Sequence, residues 1–117
     1  MHQKALRFSD TDTAVKVMKS NNPVEQKALG RQVASFDQDE WRKEAKPTLI
    51  QGLCAKFGQN ELCKHFLKNT GEKSIGEACE DSFWGIGMSL SDNELWNEGK
   101  WKGNLMGKSL MEIRGEI

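Results

Sequence analysis

The sequence predicts a mainly α-helical domain of the α+β class with a few short strands. Apolar residues recur at helical spacing in several stretches. The clearest of these series consists of Leu49, Ile50, Leu53, Cys54 and Phe57. Capping side chains precede the helical stretches and Gly or Pro follows them, whereas only residues 32–36 and 73–79 resemble extended chain. The length of 117 residues suits a single domain, residues 1–117.

The N-terminal part of the chain predicts three helices. Residues 1–8 fit the end of one helix. Residues 9–12 offer a cap and first-turn acids for a second helix, which continues to Ser20. Pro23 suits the first turn of a third helix, which ends at or shortly after Gly30.

The middle of the chain predicts further helices. Residues 37–41 resemble a capped helical start that carries a tryptophan, and Pro47 is expected to interrupt or restart this helix. The apolar series in residues 49–57 then gives the strongest helical signal of the chain. Residues 58–60 close that helix and cap the next one, which ends at residues 69–71.

The last third of the chain combines a strand, a loop and a helix. Residues 73–79 predict a short strand. Residues 88–103 are polar, with two tryptophans among them, and this composition favours an ordered loop. Asn104 caps a last helix, which ends near Gly115.

Composition and charge exclude several classes of protein. The 17 Lys and Arg residues balance the 17 Asp and Glu residues, so non-specific binding to nucleic acid is not expected. No apolar run approaches the ~18 residues of a membrane span, and no signal-peptide pattern is present. Cys54, Cys63 and Cys79 form no CxxC pair and no even disulfide set, which is typical of reduced, mostly buried thiols in a cytoplasmic protein. No cluster of His, Cys and Asp has metal-ligand spacing, so no metal is predicted.

The stretch from Glu77 to Gly87 predicts a functional site. It holds three carboxylates, two large aromatic residues and two glycines in eleven consecutive positions. Charges stand beside aromatics and Gly85 interrupts any regular element, so neither helical nor strand periodicity explains the pattern. Glycines beside Trp84 would let the backbone approach a ligand while the indole offers a stacking face. The alternative is a tight turn in which Phe83 and Trp84 anchor the core and the acids face solvent.

Short motifs follow one another along nearly the whole chain, from Lys4 to Arg114. The motifs are Gln3-Lys4-Ala5, Leu29-Gly30-Arg31, Phe36-Asp37 followed by Trp41, Lys56-Phe57-Gly58-Gln59-Asn60, Thr70-Gly71, Glu77-Ala78, Asp81 with Trp84-Gly85-Ile86-Gly87, and Gly103-Asn104-Leu105-Met106-Gly107. In this order they resemble the NADAR superfamily, also called YbiA-like. The resemblance implies the YbiA-like fold.

The same resemblance implies an N-glycosidase, because family members cleave N-glycosidic bonds. Their substrates are early riboflavin-pathway intermediates or ADP-ribose attached to a modified guanine base. The implied partner is therefore a ribosyl-phosphate or ADP-ribose-type small molecule, or an ADP-ribosylated nucleic acid, and the implied reaction is a hydrolysis without metal or redox cofactor. The alternative is a binding module that recognises ADP-ribose or a phosphorylated ribosyl compound without cleaving it.

By motif, the family's active-site positions fall on Asp81, Trp84 and Trp41. Asp81 would supply a carboxylate that stabilises a cationic sugar or activates water, and otherwise it is a turn acid. The two tryptophans would stack on a flat base, and otherwise they are core residues. Lys4 would bind a phosphate as a point charge, and otherwise it is a solvated helix lysine.

Four further residues are assigned to substrate binding by the resemblance: Glu77, Gly85, Gly103 and Asn104. Asn104 with Gly103 places a helix N-terminus beside the site, where backbone N–H groups can bind an anion. Plain N-capping by Asn104 is the alternative, and both can hold together. Glu77 belongs to the Glu-Ala motif and would orient its neighbours.

The front of the chain departs from the family pattern. Family members carry an upstream segment with strands and an active-site Glu about two helical turns before the Lys-Ala pair. That Glu has no counterpart here. The chain is therefore expected to be N-terminally truncated relative to the family, as a fragment or a shortened variant. A third hypothesis is an incomplete piece that needs a partner segment to fold or act.

Overall fold

The computed structural model describes residues 1–117 and consists of helices, turns and loops without any β-strand. The six α-helices are α1 His2–Arg7, α2 Thr11–Lys19, α3 Pro23–Gly30, α4 Gln38–Gln59, α5 Glu61–Asn69 and α6 Leu105–Arg114. One short 3₁₀ helix spans Glu98–Lys100. The chain divides into two compact units, Met1–Ala45 and Lys46–Ile117. The predicted fold class is therefore wrong in its strands, because the protein is mainly α rather than α+β.

Local capping explains where the helices of the first unit begin. Asp10 caps α2, since its carboxylate accepts a hydrogen bond from the Thr13 N–H at 3.1 Å and from the Thr13 hydroxyl at 2.7 Å. Asn22 caps α3 by accepting from the Val24 N–H at 2.9 Å, and Pro23 occupies the first turn of that helix. These are positions at which the sequence predicts a helix to start.

The segment after α3 forms turns instead of the extended chain expected for residues 32–36. Ser35 adopts a left-handed conformation with φ of 56°, which ends any extended run. Asp10 Oδ2 accepts from the Ala34 N–H at 2.9 Å and thereby holds the turn against the start of α2. The core beneath the turn consists of buried Ala5, Ala14 and Val33, with Phe8 packed against it.

We expect Asp10→Asn to make the stability of the protein less sensitive to acid. Hydrogen bonds from the Ala34 N–H, and from the hydroxyl and N–H of Thr13, hold the pKa of the Asp10 carboxyl below its usual range. A carboxyl with a lowered folded-state pKa adds stability at neutral pH, and this stability is lost as the pH falls below about 4. The unfolding free energies of wild type and variant should therefore converge as the pH is lowered from about 7 to about 3. A difference that stays constant over this range would contradict the role of the ionised carboxylate.

Helix α4 is continuous from Gln38 to Gln59, with Pro47 inside it. The predicted interruption at Pro47 is therefore not observed. Proline removes one N–H donor, whereas a helix of this length keeps its other backbone bonds. At the start of the helix, Asp37 Oδ1 accepts from the Glu40 N–H at 3.0 Å, in line with the predicted capped start.

The second unit is built around α5, α6 and the C-terminal part of α4. Leu53, Leu67 and Ile113, one from each of these helices, form its buried core. Partly buried residues that pack on this core are Leu49, Ile50, Phe57, Ile75, Met106, Leu110 and Ile117. Asn60 caps α5 by accepting from the Cys63 N–H at 3.1 Å, as the sequence predicts.

Residues 73–79 do not form the predicted strand. A strand needs a neighbouring strand that supplies a ladder of backbone hydrogen bonds, but here side chains take those bonds. The Asn104 amide donates to the Ile75 carbonyl at 2.9 Å, and the Arg114 guanidinium donates to the Lys73 carbonyl at 2.8 Å. The segment is therefore hydrogen-bonded to α6 and its N-cap instead of to a neighbouring strand.

No helix combines the length and apolar character needed to cross a membrane. Cys54, Cys63 and Cys79 are free thiols, but they are not mostly buried as expected, because Cys54 is exposed and the other two are half-buried. The cytoplasmic location expected from the sequence stays a prediction.

Candidate active site

The stretch from Glu77 to Gly87, here called the site loop, is fastened to the start of α6. Five backbone N–H groups, one from each of residues 102–106, donate to the five carbonyls of residues 82–86. These five bonds measure between 2.8 and 3.0 Å. A loop held by so many backbone bonds presents its side chains from a fixed frame.

Asp81 begins a turn of the site loop, and its side chain is exposed. Its Oδ1 accepts from the N–H groups of Phe83 and Trp84, both at 2.8 Å. Its backbone carbonyl accepts from the Gly85 N–H at 3.1 Å. Its Oδ2 makes no hydrogen bond within the chain. One oxygen therefore fixes the carboxylate as a turn acid while the other remains available to a ligand, so the two roles considered for Asp81 are compatible.

Trp84 is half-buried and packs at right angles to its neighbour in the sequence. The ring centroids of Phe83 and Trp84 lie 5.3 Å apart with an interplanar angle of 86°. This edge-to-face contact holds the indole in one orientation. Because the indole is only half-buried, part of its surface remains accessible to a flat ligand.

The glycines of the site are needed for contacts inside the chain. A β-carbon on Gly85 would overlap Cys79 Sγ and would come within 2.8 Å of the Glu77 carbonyl oxygen. A β-carbon on Gly103 would overlap the Ser82 carbonyl. The resemblance assigns Gly85 and Gly103 to substrate binding, and that role stays a prediction; in the structure the atoms nearest to these two positions belong to the protein. These glycines therefore shape the site loop.

Asn104 joins three segments of the second unit through one buried side chain. Its Oδ1 accepts from the N–H groups of Glu77 at 3.0 Å and Gly107 at 3.3 Å. Its Nδ2 donates to the Ile75 carbonyl at 2.9 Å. Its backbone is left-handed with φ of 51°, a conformation that asparagine adopts more readily than most residues. The side chain is 3% exposed, so its polar atoms depend on these partners.

The first N–H groups of α6 are all paired within the chain. Those of Leu105 and Met106 donate to carbonyls of the site loop at 3.0 Å. Those of Gly107 and Lys108 donate to the side chain and the carbonyl of Asn104. A helix N-terminus binds an anion through unpaired N–H groups, and none is available here. The geometry therefore supports the capping role of Asn104 and gives no basis for an anion at this helix end.

The acidic residue Glu77 acts through its backbone. Its carbonyl accepts from the N–H groups of Cys79 and Ile86, each at 2.9 Å, and its N–H donates to Asn104. The carboxylates of Glu77 and Glu80 are exposed and make no hydrogen bond or ion pair within the chain. No group of three or more His, Cys, Asp or Glu residues is arranged to hold a metal ion.

Lys4 and Trp41, the other two predicted site residues, belong to the first unit. Lys4 Nζ stands over the Phe36 ring, 4.3 Å from its centroid. Burial and then the positive charge of Arg31 hold the pKa of Lys4 below its usual value. Trp41 is half-buried in the first turn of α4, where its N–H donates to the Asp37 carbonyl at 3.0 Å. The roles of Lys4 and Trp41 in ligand binding stay predictions.

A cleft of about 340 Å³ adjoins the site loop and was not identified from the sequence. Its walls are mostly apolar and include Trp96 and Trp101. Trp101 is anchored because its Nε1 donates to the Leu95 carbonyl at 2.8 Å, whereas Trp96 is 87% exposed. Asp81 and Trp84 do not line this cleft. The sequence signal for this cleft was the presence of two tryptophans in the polar residues 88–103. These tryptophans predicted only an ordered loop.

The chain is similar to known proteins over its whole length. A family model described as the NADAR domain matches residues 1–117. Protein irg-1 of Caenorhabditis elegans is 33% identical over 121 residues, which cover 100% of this chain and 57% of that protein. N-glycosidase R617 of Acanthamoeba polyphaga mimivirus is 40% identical over 119 residues, which cover 99% of this chain and 69% of that protein. The chain thus spans 57% of the length of one relative and 69% of the other.

Proposed function

This chain belongs to the NADAR domain family, and on that premise we propose that it is an N-glycosidase that hydrolyses the bond between a ribose and a base. The mimivirus relative supports the proposal, since it is named an N-glycosidase and is 40% identical to this chain. The observation that carries the proposal is Asp81. Its carboxylate is fixed through one oxygen, keeps the other available and lies beside the half-buried Trp84.

Hydrolysis of a ribose N-glycosidic bond passes through a transition state with positive charge on the sugar. Asp81 Oδ2 would stabilise this charge or accept a proton from the attacking water. The bond between the sugar and the base breaks with its electron pair going to the base, which takes up a proton, and the water oxygen forms the new bond to the sugar. Water is the only second reactant, so the proposal includes no cofactor.

The proposed substrate is a ribosylated base that carries phosphate. One candidate is a ribosylamino-pyrimidine phosphate of the riboflavin pathway, and the other is an ADP-ribosylated guanine, free or in nucleic acid. The base would stack on the accessible part of Trp84. Both candidates present a flat base and a phosphate, so the same types of side chain suit both.

Release of free base tests the proposal. The chain is incubated with a ribosylamino-pyrimidine phosphate or with DNA that carries ADP-ribosyl-guanine, and the released base is measured by chromatography. Release from one of them identifies the substrate class. Binding without release would support the alternative function, a binding module for ADP-ribose or a phosphorylated ribosyl compound. A chain that neither binds nor cleaves either compound would contradict the proposal.

We expect Trp84→Leu to raise the KM for the cleaved substrate roughly 2- to 10-fold, because a stacking contact contributes about 0.5–1.5 kcal/mol. The matched control is Trp96→Leu, since that exposed indole lies in the separate cleft. Steady-state kinetics on both variants, after circular dichroism has verified their fold, measure the difference. Equal KM values for the two variants would contradict stacking on Trp84.

A further inference from the structure

The segment of residues 73–79 is hydrogen-bonded on the side that faces α6. Asn104 Nδ2 donates to the Ile75 carbonyl at 2.9 Å, and Asn104 Oδ1 accepts from the Glu77 N–H at 3.0 Å. A residue of a neighbouring parallel strand makes the same pair of bonds, to the carbonyl of one residue and the N–H of the second residue after it. The Asn104 amide therefore takes the place of a strand on this side of the segment.

The opposite side of the same segment is unpaired. In extended chain, successive residues direct their backbone groups to opposite sides, so Ser74, Gly76 and Ala78 direct theirs away from Asn104. The N–H and C=O groups of these three residues make no hydrogen bond within the chain. Ser74 and Gly76 are exposed, and Ala78 is half-buried. These backbone groups, here called the free edge, resemble the unpaired row of donors and acceptors on an edge strand.

The apolar cleft of about 340 Å³ lies against the free edge, since all three residues of the free edge line it. Trp101 forms part of its wall and packs closely on Gly76, where a β-carbon would lie 2.8 Å from the indole ring. Leu90 and Trp96 also line the cleft and are 79% and 87% exposed. Large apolar side chains exposed beside unpaired backbone groups are typical of a surface that binds another chain.

The chemistry of this surface selects its occupant. A small apolar molecule would fill the cleft but would leave the free edge unpaired. A second copy that paired through its own free edge would bring only the small side chains of Ser74, Gly76 and Ala78, which would leave the cleft unfilled. Lys73 is the only charged residue that lines the cleft, so charge complementarity favours an acidic group in the occupant.

We propose that the free edge and the cleft bind an extended peptide segment of another protein, which adds as a strand along residues 74–78. The peptide backbone pairs with the free edge. Alternate side chains of the peptide are large and apolar and enter the cleft, and an acidic residue of the peptide lies beside Lys73. This interaction does not depend on the proposed function, because Asp81 and Trp84 do not line the cleft.

Selection from a displayed library of random heptapeptides, with the full chain as bait, tests the proposal. The enriched peptides should carry large apolar residues at alternate positions, and one of them is synthesised as the probe. Its affinity, measured by calorimetry, should fall roughly 10-fold or more in Leu90→Ser, because this variant loses an apolar contact. The absence of any enriched peptide would overturn the proposal.

The matched control is Leu62→Ser. Leu62 is 83% exposed on α5 and does not line the cleft, so this variant removes a similarly exposed leucine from another surface of the same unit. Its affinity for the probe should equal that of wild type. An equal loss of affinity in Leu62→Ser and Leu90→Ser would overturn the proposal.

Hydrogen exchange followed by NMR distinguishes strand addition from binding through side chains alone. At saturation with the probe, the amides of Ser74, Gly76 and Ala78 should exchange roughly 10-fold more slowly or less, because their N–H groups gain partners. The Glu77 N–H already donates to Asn104 and should keep its exchange rate. Unchanged exchange along the free edge would overturn the proposal.

Sedimentation velocity without peptide tests a second copy as the occupant. Wild type and Leu90→Ser should sediment alike at every concentration. A dimer that Leu90→Ser dissociates and Leu62→Ser does not would assign the free edge to a second copy of this chain, and would overturn the proposal of a peptide from another protein.

Discussion

Asp81→Asn is expected to lower the kcat for base release roughly 10²- to 10⁴-fold, the usual contribution of a positioned acid–base group. The amide of the variant keeps the oxygen that accepts from the N–H groups of Phe83 and Trp84 at 2.8 Å, so the turn should persist. What the variant loses is the negative charge that would stabilise a cationic sugar or activate water. Steady-state kinetics measure the loss, and circular dichroism verifies the fold.

The matched control for this prediction is Asp92→Asn. Asp92 Oδ1 accepts from the Glu94 N–H at 2.8 Å, and its side chain is exposed, so it is the same kind of turn acid outside the site loop. Asp92→Asn should keep kcat within about twofold of wild type, as is usual for a surface substitution. If Asp81→Asn also keeps kcat, Asp81 is a turn acid only and the proposed mechanism fails.

The helix starts could be predicted because a cap is a local interaction. Asp10, Asn22, Asn60 and Asn104 each accept from an N–H group two or three residues further along the chain. Both partners therefore lie within one short window of the sequence. The turn at Asp81 is equally local, because its Oδ1 accepts from the N–H groups of Phe83 and Trp84, two and three residues further along the chain. Local chemistry is thus enough to single out the site loop.

The partners of the extended segment could not be predicted, because they are distant in the sequence. Residues 73–79 have the composition of a strand, but the two side chains that bond to their backbone are distant: Asn104 is 27 residues from Glu77 and 29 from Ile75, and Arg114 is 41 residues from Lys73. Nothing in the segment distinguishes a side-chain partner from a neighbouring strand. In the same way, Gly85 indicates that another group lies close to the backbone at this position. The sequence does not reveal that this group is the Glu77 carbonyl. The sequence therefore indicates which residues have an unusual role, and the contacts in the folded protein show what that role is.

Asn104→Ala is expected to lower the free energy of unfolding by about 3 kcal/mol or more. The substitution leaves the Ile75 carbonyl and the N–H groups of Glu77 and Gly107 without their side-chain partner. It also places an ordinary side chain at a left-handed φ of 51°, which costs on the order of 1 kcal/mol. Urea denaturation followed by circular dichroism measures the loss.

Asn60→Ala is the control for this prediction, because Asn60 caps α5 through a single hydrogen bond from the Cys63 N–H at 3.1 Å. A plain cap contributes about 1 kcal/mol, so the additional loss in Asn104→Ala measures the tie between α6 and the segment before the site loop. Asn104→Gly loses the same bonds without the left-handed strain and should recover about 1 kcal/mol. Equal losses for Asn60→Ala and Asn104→Ala would show that Asn104 is an ordinary cap.

The hydrogen bonds of Asn104 stabilise the second unit and also position the site loop that the proposed chemistry uses. Its backbone N–H donates to the Gly85 carbonyl at 2.8 Å, and its side chain fixes Glu77, whose carbonyl accepts from the Ile86 N–H at 2.9 Å. The position of the Asp81 turn therefore depends on a residue that touches no substrate in the proposed mechanism. At a temperature at which Asn104→Gly is folded, its kcat should fall several-fold with Asp81 intact, since catalytic groups tolerate little displacement. An unchanged kcat would confine Asn104 to a role in stability.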